Sequence, residues 1–196
     1  MRLNAFACGA AVLAGLSLAA CSGSSVHSEA GDPADLQRRF HDLHAAILSD
    51  NRAEAARITQ ALLPDRQRLA KALSDAVLPE HIDRILNMHS EFLSDANDVA
   101  ALLAPGPDQT SVGVFHATVE DLVEYAPGTT AFESFATGAR DLARMGILRP
   151  GLTFYQVKVR KPGSEYGTTY HLFYWDGEDW AMVGPAWRVI KPAAIP

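Results

Sequence analysis

Hydrophobic residues recur at helical spacing through the first half of the chain, beginning just after residue 32. Asp32 and Pro33 are typical of a helix start, because Asp caps free backbone N–H groups and Pro fits the first turn. The apolar positions that follow are spaced by four, three and four residues, and they are Leu36, Phe40, Leu43 and Ile47. This period predicts a first helix that buries one face.

Three further helical segments are predicted before the next turn. The polar segment 49–51 breaks the first stripe and can cap a second helix, which Pro64 interrupts before another helical face begins. A longer apolar stripe predicts one continuous helix over residues 80–103, and the Ala-Pro-Gly-Pro segment at 104–107 ends it. Residues 33–104 are therefore interpreted as a helical layer.

The pattern changes after residue 108, with a strand predicted at 111–116. Thr118 and Thr130 each begin a capping-box-like sequence, and the second predicts a helix that ends near Met145. Four segments of period two complete the chain, and they are 152–160, 168–175, 180–183 and 187–190. Pro-Gly and Asp-Gly pairs lie between the longer ones as turns, which predicts an antiparallel meander.

These elements predict an α+β protein, in which an N-terminal helical layer packs on a C-terminal antiparallel β-meander. The sheet region is assigned to residues 108–196, in one domain with the helices.

Alternation also predicts the faces of the strands. In the 152–160 strand, inward positions are Tyr155, Val157 and Val159, and outward positions are Phe154, Gln156, Lys158 and Arg160. In the next strand, Tyr170 and Tyr174 are expected on one face, with Phe173 and Trp175 on the other. Because large rings occupy both faces of that strand, both faces are expected to be covered.

The order of elements and the closing motif YWDGEDW, residues 174–180, resemble the nuclear transport factor 2-like superfamily. This resemblance covers roughly residues 35–190 and implies a cone-shaped α+β barrel in which helices cover a curved sheet. The long helical segment before the first strand departs from the superfamily's usual pattern. The resemblance concerns fold, and fold alone does not assign a function.

Composition and charge exclude two classes of protein. The chain has 196 residues, with 48% hydrophobic and 20% charged, so most of it has the composition of a folded soluble domain. Its net charge is −6, whereas nucleic acid is met by a basic face, so no nucleic-acid partner is expected. Residues 85–139 contain no Lys or Arg, whereas residues 146–196 carry six bases against four acids. An acidic surface suits a basic partner, and the basic strand face suits a phosphate or carboxylate ligand.

The first twenty residues have the pattern of a signal peptide, with Arg2 before an uncharged run from Leu3 to Ala20. The run ends in Leu18-Ala19-Ala20-Cys21, which resembles the lipobox of bacterial lipoproteins. The resemblance implies cleavage before Cys21 and acylation of that residue, so the protein's membrane partner is reached through lipid. A polar tether is predicted over 21–32. Ser22, where Asp would mark inner-membrane retention in Gram-negative lipoproteins, implies an outer-membrane location facing the periplasm; a simple secretory signal is the alternative.

Candidate chemistry is sparse in the mature chain. Without Cys8 and Cys21 it has no thiol, and His41 and His44 lack a third ligand, so neither a metal nor a cofactor is expected. His89 lies in an apolar stripe and is interpreted as a core histidine. The remaining candidates for ligand binding lie on predicted strands or beside them, and they are His116, His171, Tyr170, Tyr174, Trp175 and Trp180.

Two function classes remain after the motif search, with a structural envelope component as a third. The leading hypothesis is a non-enzymatic binding or assembly module that contacts an envelope protein or a small ligand. The alternative is a small pocket enzyme of the α+β barrel type, with His116 or His171 as acid or base among the aromatic rings. Geometry discriminates them, because the enzyme hypothesis requires the two histidines to share one cavity with an ionisable neighbour.

Overall fold

The computed structural model describes residues 31–90 and 95–190. The predicted signal peptide, Cys21 and the tether up to residue 30 lie outside the described residues. Five helices come first: α1 (Pro33–Leu48), α2 (Arg52–Leu62), α3 (Arg66–Ala72), α4 (Pro79–Ser90) and α5 (Ala96–Leu102). The following elements are β1 (Ser111–Thr118), α6 (Val119–Glu124), α7 (Thr130–Ser134), α8 (Thr137–Arg144), β2 (Thr153–Arg160), β3 (Gly167–Trp175), β4 (Trp180–Met182) and a 3-10 turn (Ala186–Arg188).

The four strands form one antiparallel sheet in the order β1-β2-β3-β4, so each strand pairs with its neighbour in the chain. Helices precede the sheet and pack on it, which confirms the predicted α+β class and the meander. The first helix begins where its cap predicts, since the Asp32 carboxylate accepts a hydrogen bond from the Ala34 N–H at 3.0 Å. Its stripe is buried as expected at Leu36, Phe40 and Leu43.

Both faces of the sheet are covered, and each carries its own hydrophobic core. The first, the α1 face, lies under α1, α2 and α5, and its strand residues include Tyr155, Val157 and Phe173. The second, the α8 face, lies under α3, α4 and α6 to α8, and its strand residues include Phe154 and Tyr174. The expected outward position of Phe154 is wrong, because that ring is fully buried on the α8 face, where Gln156 is buried too. The outward positions Lys158 and Arg160 are half-buried.

The helix predicted over 80–103 is two helices. Helix α4 ends at Ser90, and Asp95 is in an extended conformation (φ −151°), capping the N–H groups that begin α5. The two pieces serve different cores, since Ile85 packs on the α8 face whereas Ala100 and Leu103 pack on the α1 face. One straight helix cannot bury its stripe against both faces of a sheet, so the chain must break between them.

Two other boundaries differ from the prediction. The helix expected from Thr130 to Met145 is divided into α7 and α8, because the chain extends at Phe135 and inserts that ring into the core. The N-cap of α7 is Thr129. The strand expected at 187–190 is wrong. Gly184 turns the chain away from β4 in a left-handed conformation (φ 76°), and the 3-10 turn packs Trp187 directly against Gly138 of α8.

A β-bulge in β3 overturns the predicted common face of Tyr170 and Tyr174, whereas Phe173 and Trp175 share the α1 face as predicted. Tyr155 pairs with Phe173 and Val157 pairs with Tyr170, so three steps along β3 match two steps along β2. Leu172 lies at this bulge with φ 55°, a left-handed conformation that a leucine rarely adopts. Tyr170 therefore packs on the α1 face and Tyr174 on the α8 face, rather than sharing one. Coverage of both faces of this strand is confirmed.

One buried ion pair links the helices to the β3–β4 turn. The Arg68 Nε donates to Asp176 Oδ2 at 2.7 Å, and the same guanidinium donates to the carbonyls of Ala61 and Trp180. Burial raises the pKa of Asp176, but the N–H groups of Asp179 and Glu178 and the Arg68 guanidinium outweigh it, so the pKa lies below its usual range. The Asp176 carboxylate is therefore charged at neutral pH and fixes the Asp-Gly turn.

We expect Arg68→Met to lower the free energy of unfolding by about 2–4 kcal/mol, because the Asp176 carboxylate loses its closest counter-ion and the carbonyls of Ala61 and Trp180 lose this donor. Urea denaturation of the soluble chain from Ser22 to Pro196 measures it. The matched control is Arg66→Met on the same helix, whose ion pair with Asp83 is about half exposed. The control is expected to lose under about 1 kcal/mol. Equal losses in the two variants would contradict the role given to Arg68.

Candidate functional site

The two candidate histidines lie on opposite faces of the sheet. His116 pairs with Tyr155, so its exposed ring is on the α1 face, 5.8 Å from the Tyr155 ring centre. His171 is on the α8 face, where its Nδ1 lies 3.0 Å from Gln156 Oε1. The structure therefore does not bring the two histidines together in one cavity.

The aromatic candidates are also divided between the cores. Tyr170, Trp175 and Trp180 pack on the α1 face, where the Trp180 indole N–H donates to Asp35 Oδ2 at 3.0 Å. Tyr174 packs on the α8 face, and its hydroxyl donates to the Arg68 carbonyl. Burial raises the pKa of Tyr170 to about 12, and its hydroxyl donates to the Ala104 carbonyl at 3.2 Å. These rings stabilise the fold, and they do not form a common aromatic pocket.

The α8 face is left uncovered between α7 and the β2–β3 hairpin, and an open cavity of about 640 Å³ lies there. We call it the sheet-face cavity. Phe115 and Phe135 contribute its apolar wall. Its polar lining consists of Glu133, Ser134, Gln156, Lys158, Arg160, Glu165, Thr169 and His171. Most of these residues come from adjacent positions on β2 and β3, so the floor of the cavity is rigid sheet.

The imidazole of His171 is held in one orientation by the side chains of Gln156 and Trp187. The bulge at Leu172 places His171 and Leu172 on the same face, opposite Gln156. The Gln156 amide nitrogen donates to the Ser134 carbonyl, so its oxygen is directed to His171. The Trp187 ring packs edge-on against the imidazole, with the ring centres 5.1 Å apart. Because Gln156 Oε1 can only accept, Nδ1 carries the proton and Nε2 presents a lone pair.

Burial, with a smaller contribution from the Arg188 charge, lowers the pKa of His171 to about 4. The imidazole is therefore neutral at physiological pH. A general base works best when its pKa lies near the working pH, so this histidine is poorly suited to proton abstraction at pH 7. It is well suited to accept a hydrogen bond from a ligand through Nε2.

Charges of both signs line the same cavity. Lys158 and Arg160 come from β2, whereas Glu133 comes from α7 and Glu165 from the β2–β3 hairpin. Within the described residues, none of these four makes an ion pair within 4 Å. They are separated charges on one concave surface, so a ligand can pair with them without breaking an existing salt bridge.

His89, interpreted from sequence as a core histidine, is confirmed as one. It is 7% exposed, and its Nε2 lies 3.1 Å from the Val183 carbonyl oxygen. Burial lowers its pKa, although the hydrogen bond to Val183 acts in the opposite direction. Its environment is that of a neutral structural imidazole.

Across residues 31–90 and 95–190, no group of three His, Cys, Asp or Glu side chains is close enough to hold a metal ion. In the same part of the chain, no helix has both the length and the apolar character needed to cross a bilayer.

Comparison with known proteins assigns no family, since no family model, curated protein or solved structure matches this chain.

Sequence reasoning identified His171 but not its surroundings. The sequence pattern identifies Gln156, Lys158 and Arg160 only as alternate positions of one strand. The basic character of that strand face, which suits an anionic ligand, is the signal that indicates the cavity. Glu133 and Glu165 approach it from separate elements, which no local pattern indicates. The bulge that positions His171 also had no signal, because a leucine with positive φ breaks the usual rule for strands.

We expect Gln156→Glu to raise the pKa of His171 well above 4, because a carboxylate beside Nδ1 favours the imidazolium. NMR titration of the imidazole measures this value. In the wild-type chain the folded pKa lies below the unfolded value of about 6.5. The unfolded state therefore binds the proton first, and stability is lost as pH falls from about 6.5 to 4. Gln156→Met, which has no charge, is the matched control; an unchanged pKa in the Glu variant would contradict the assigned contact.

Proposed function

We propose that this protein is a lipid-anchored binding module of the bacterial outer membrane, facing the periplasm, which holds a small polar ligand in the sheet-face cavity. The observation that carries the proposal is the presence of four separated charges and one oriented neutral imidazole on the same rigid concavity. The site offers Lys158 and Arg160 to an anionic group and His171 Nε2 to a hydrogen-bond donor. Glu133 or Glu165 would accept a cationic group on the same molecule.

A binding role is supported over catalysis by the protonation chemistry. His171, with a pKa of about 4, is a weak base at neutral pH, and His116 lies across the sheet from it. Ligand recognition needs only fixed donors and acceptors, which Gln156 and the strand charges supply. The geometry therefore favours the binding module over the pocket enzyme.

The anchor is proposed from the lipobox resemblance at Cys21. Ten peptide steps separate Cys21 from Gly31, where the described fold begins. Even a fully extended chain of that length spans at most about 36 Å. The Tyr155 hydroxyl donates to the Gly31 carbonyl at 2.9 Å, and this hydrogen bond fixes the point where the predicted tether meets the folded domain. An acylated Cys21 would hold the domain close to the membrane surface.

We expect small molecules with a carboxylate or phosphate group to raise the melting temperature of the soluble chain. A panel of carboxylates, phosphates, amines and amino acids tests this by thermal shift and calorimetry. In the Lys158→Ala, Arg160→Ala double variant, affinity is expected to fall at least tenfold, about 1.4 kcal/mol. The control pair is Arg52→Ala with Arg57→Ala, two exposed arginines on α2. If no class binds, or if the control pair loses as much affinity, the sheet-face cavity is not the ligand site.

We expect the full chain to incorporate an alkyne analogue of palmitate when it is expressed in a Gram-negative host. Cys21→Ala should abolish the label and release the protein from the membrane fraction, because both the thiol and the new amine of Cys21 are the acylated groups. Cys8→Ala is the matched control and should keep the label, since Cys8 lies in the segment that is removed. Labelling of the Cys21 variant at the wild-type level would exclude the proposed anchor.

A further inference from the structure

One stretch of β3 has a strand on one side only. Strand β4 pairs with Phe173 to Trp175, and the ladder ends where the Val183 N–H donates to the Leu172 carbonyl at 2.8 Å. Gly184 then turns the chain away. Among the described residues, nothing pairs with the outer edge of β3 over Gly167 to His171. Along this five-residue edge, alternate residues direct their N–H and C=O groups away from β2, and these groups have no backbone partner among the described residues.

A second cavity, of about 240 Å³, runs along this edge. It is lined by three consecutive strand residues, Thr169, Tyr170 and His171. Side chains alternate between the faces of a strand, so consecutive residues line one cavity only when that cavity lies beside the edge itself. The structure thus contains space beside the unpaired backbone, which we call the edge groove.

The edge groove has an apolar wall and one charge. Met88, Leu103 and Met182 face the strand across it, and methionine side chains adapt readily to different partners. Arg188 lies at its border, is exposed, and makes no ion pair with any described residue. The groove therefore suits an apolar side chain next to a carboxylate.

This edge lacks two of the features that normally protect one. Exposed edges are commonly blunted by Pro or Lys, because unpaired strands otherwise recruit another chain. The sequence Gly-Thr-Thr-Tyr-His at 167–171 contains neither residue, and Thr and Tyr favour strands. The ladder to β4 ends at Leu172, so β4 does not cover the part of β3 before it.

We propose that the edge groove binds an extended peptide segment of a partner protein, which adds to β3 as a fifth strand. The segment places an apolar side chain between Met88 and Met182, and an acidic side chain opposite Arg188. This proposal rests on the proposed role as a binding module and names its macromolecular partner. A second copy of this chain fits less well, because its own β3 edge offers threonines where the groove takes an apolar side chain.

The experiment selects peptides from a displayed library of random dodecamers on the soluble chain, and hydrogen exchange locates where they bind. The selected peptides are expected to share an apolar residue close to an acidic one. Adding such a peptide should slow amide exchange within 167–171 by at least tenfold. Its affinity should fall at least tenfold in Leu102→Trp, which fills the groove, and in Arg188→Glu, which reverses its charge. Both positions avoid the fully buried core.

Several results would overturn the proposal. They are an edge already protected from exchange in the free chain, a dimer that covers it, no enriched peptide, and binding that both variants leave unchanged. The Lys158→Ala, Arg160→Ala double variant separates the two sites. Peptide binding is expected to survive in that variant while binding of the small anionic ligand is lost. If the wild-type chain binds the peptide but no small anionic ligand, the result counts against the sheet-face cavity and not against the edge groove.

Discussion

The fold depends on the attachment of helices to a sheet that is buried on both faces, and the Arg68–Asp176 pair makes that attachment at its most constrained point. Arg68 is on a helix that packs on the α8 face, yet its guanidinium also reaches the Ala61 carbonyl of α2, which packs on the α1 face. One side chain therefore links both helical layers to the turn between β3 and β4. Removing either partner leaves the other charge largely buried and without its closest counter-ion.

Coverage of both faces also decides where a ligand can bind. The aromatic rings of β3 pack in the two hydrophobic cores, so they do not form a common aromatic pocket for a ligand. On the α8 face, polar side chains line a cavity where the helices stop, between α7 and the β2–β3 hairpin. There the outward positions of β2 keep their charges in contact with solvent while their backbone is fixed by two neighbouring strands. The sheet-face cavity is thus a consequence of incomplete helical cover on a rigid ladder.

Sequence patterns predicted the parts of the fold that are governed by local rules. Residues that are close in the chain account for the caps at Asp32 and Asn51, for four of the five predicted strands and for the turn at Asp176. Two of the failures come from long-range packing that a local pattern does not show. A continuous stripe at 80–103 gave no sign that its halves serve opposite faces, and the alternation of β3 gave no sign of a bulge. The candidate site was predictable to the extent of a basic strand face and His171, because its acidic side is assembled from distant elements.

The left-handed backbone at Leu172 lies next to His171, which lines both the sheet-face cavity and the edge groove. A left-handed leucine costs about 1–2 kcal/mol relative to an ordinary strand conformation, and the sheet could have avoided it with a regular register. The bulge separates the faces of Tyr170 and Tyr174, and the β4 ladder ends beside it, where the Val183 N–H donates to the Leu172 carbonyl. Thr169, like His171, lines both the sheet-face cavity and the edge groove. Unfavourable backbone conformations persist only where the surrounding structure holds them, and this one is held by the α8-face core and by the end of β4.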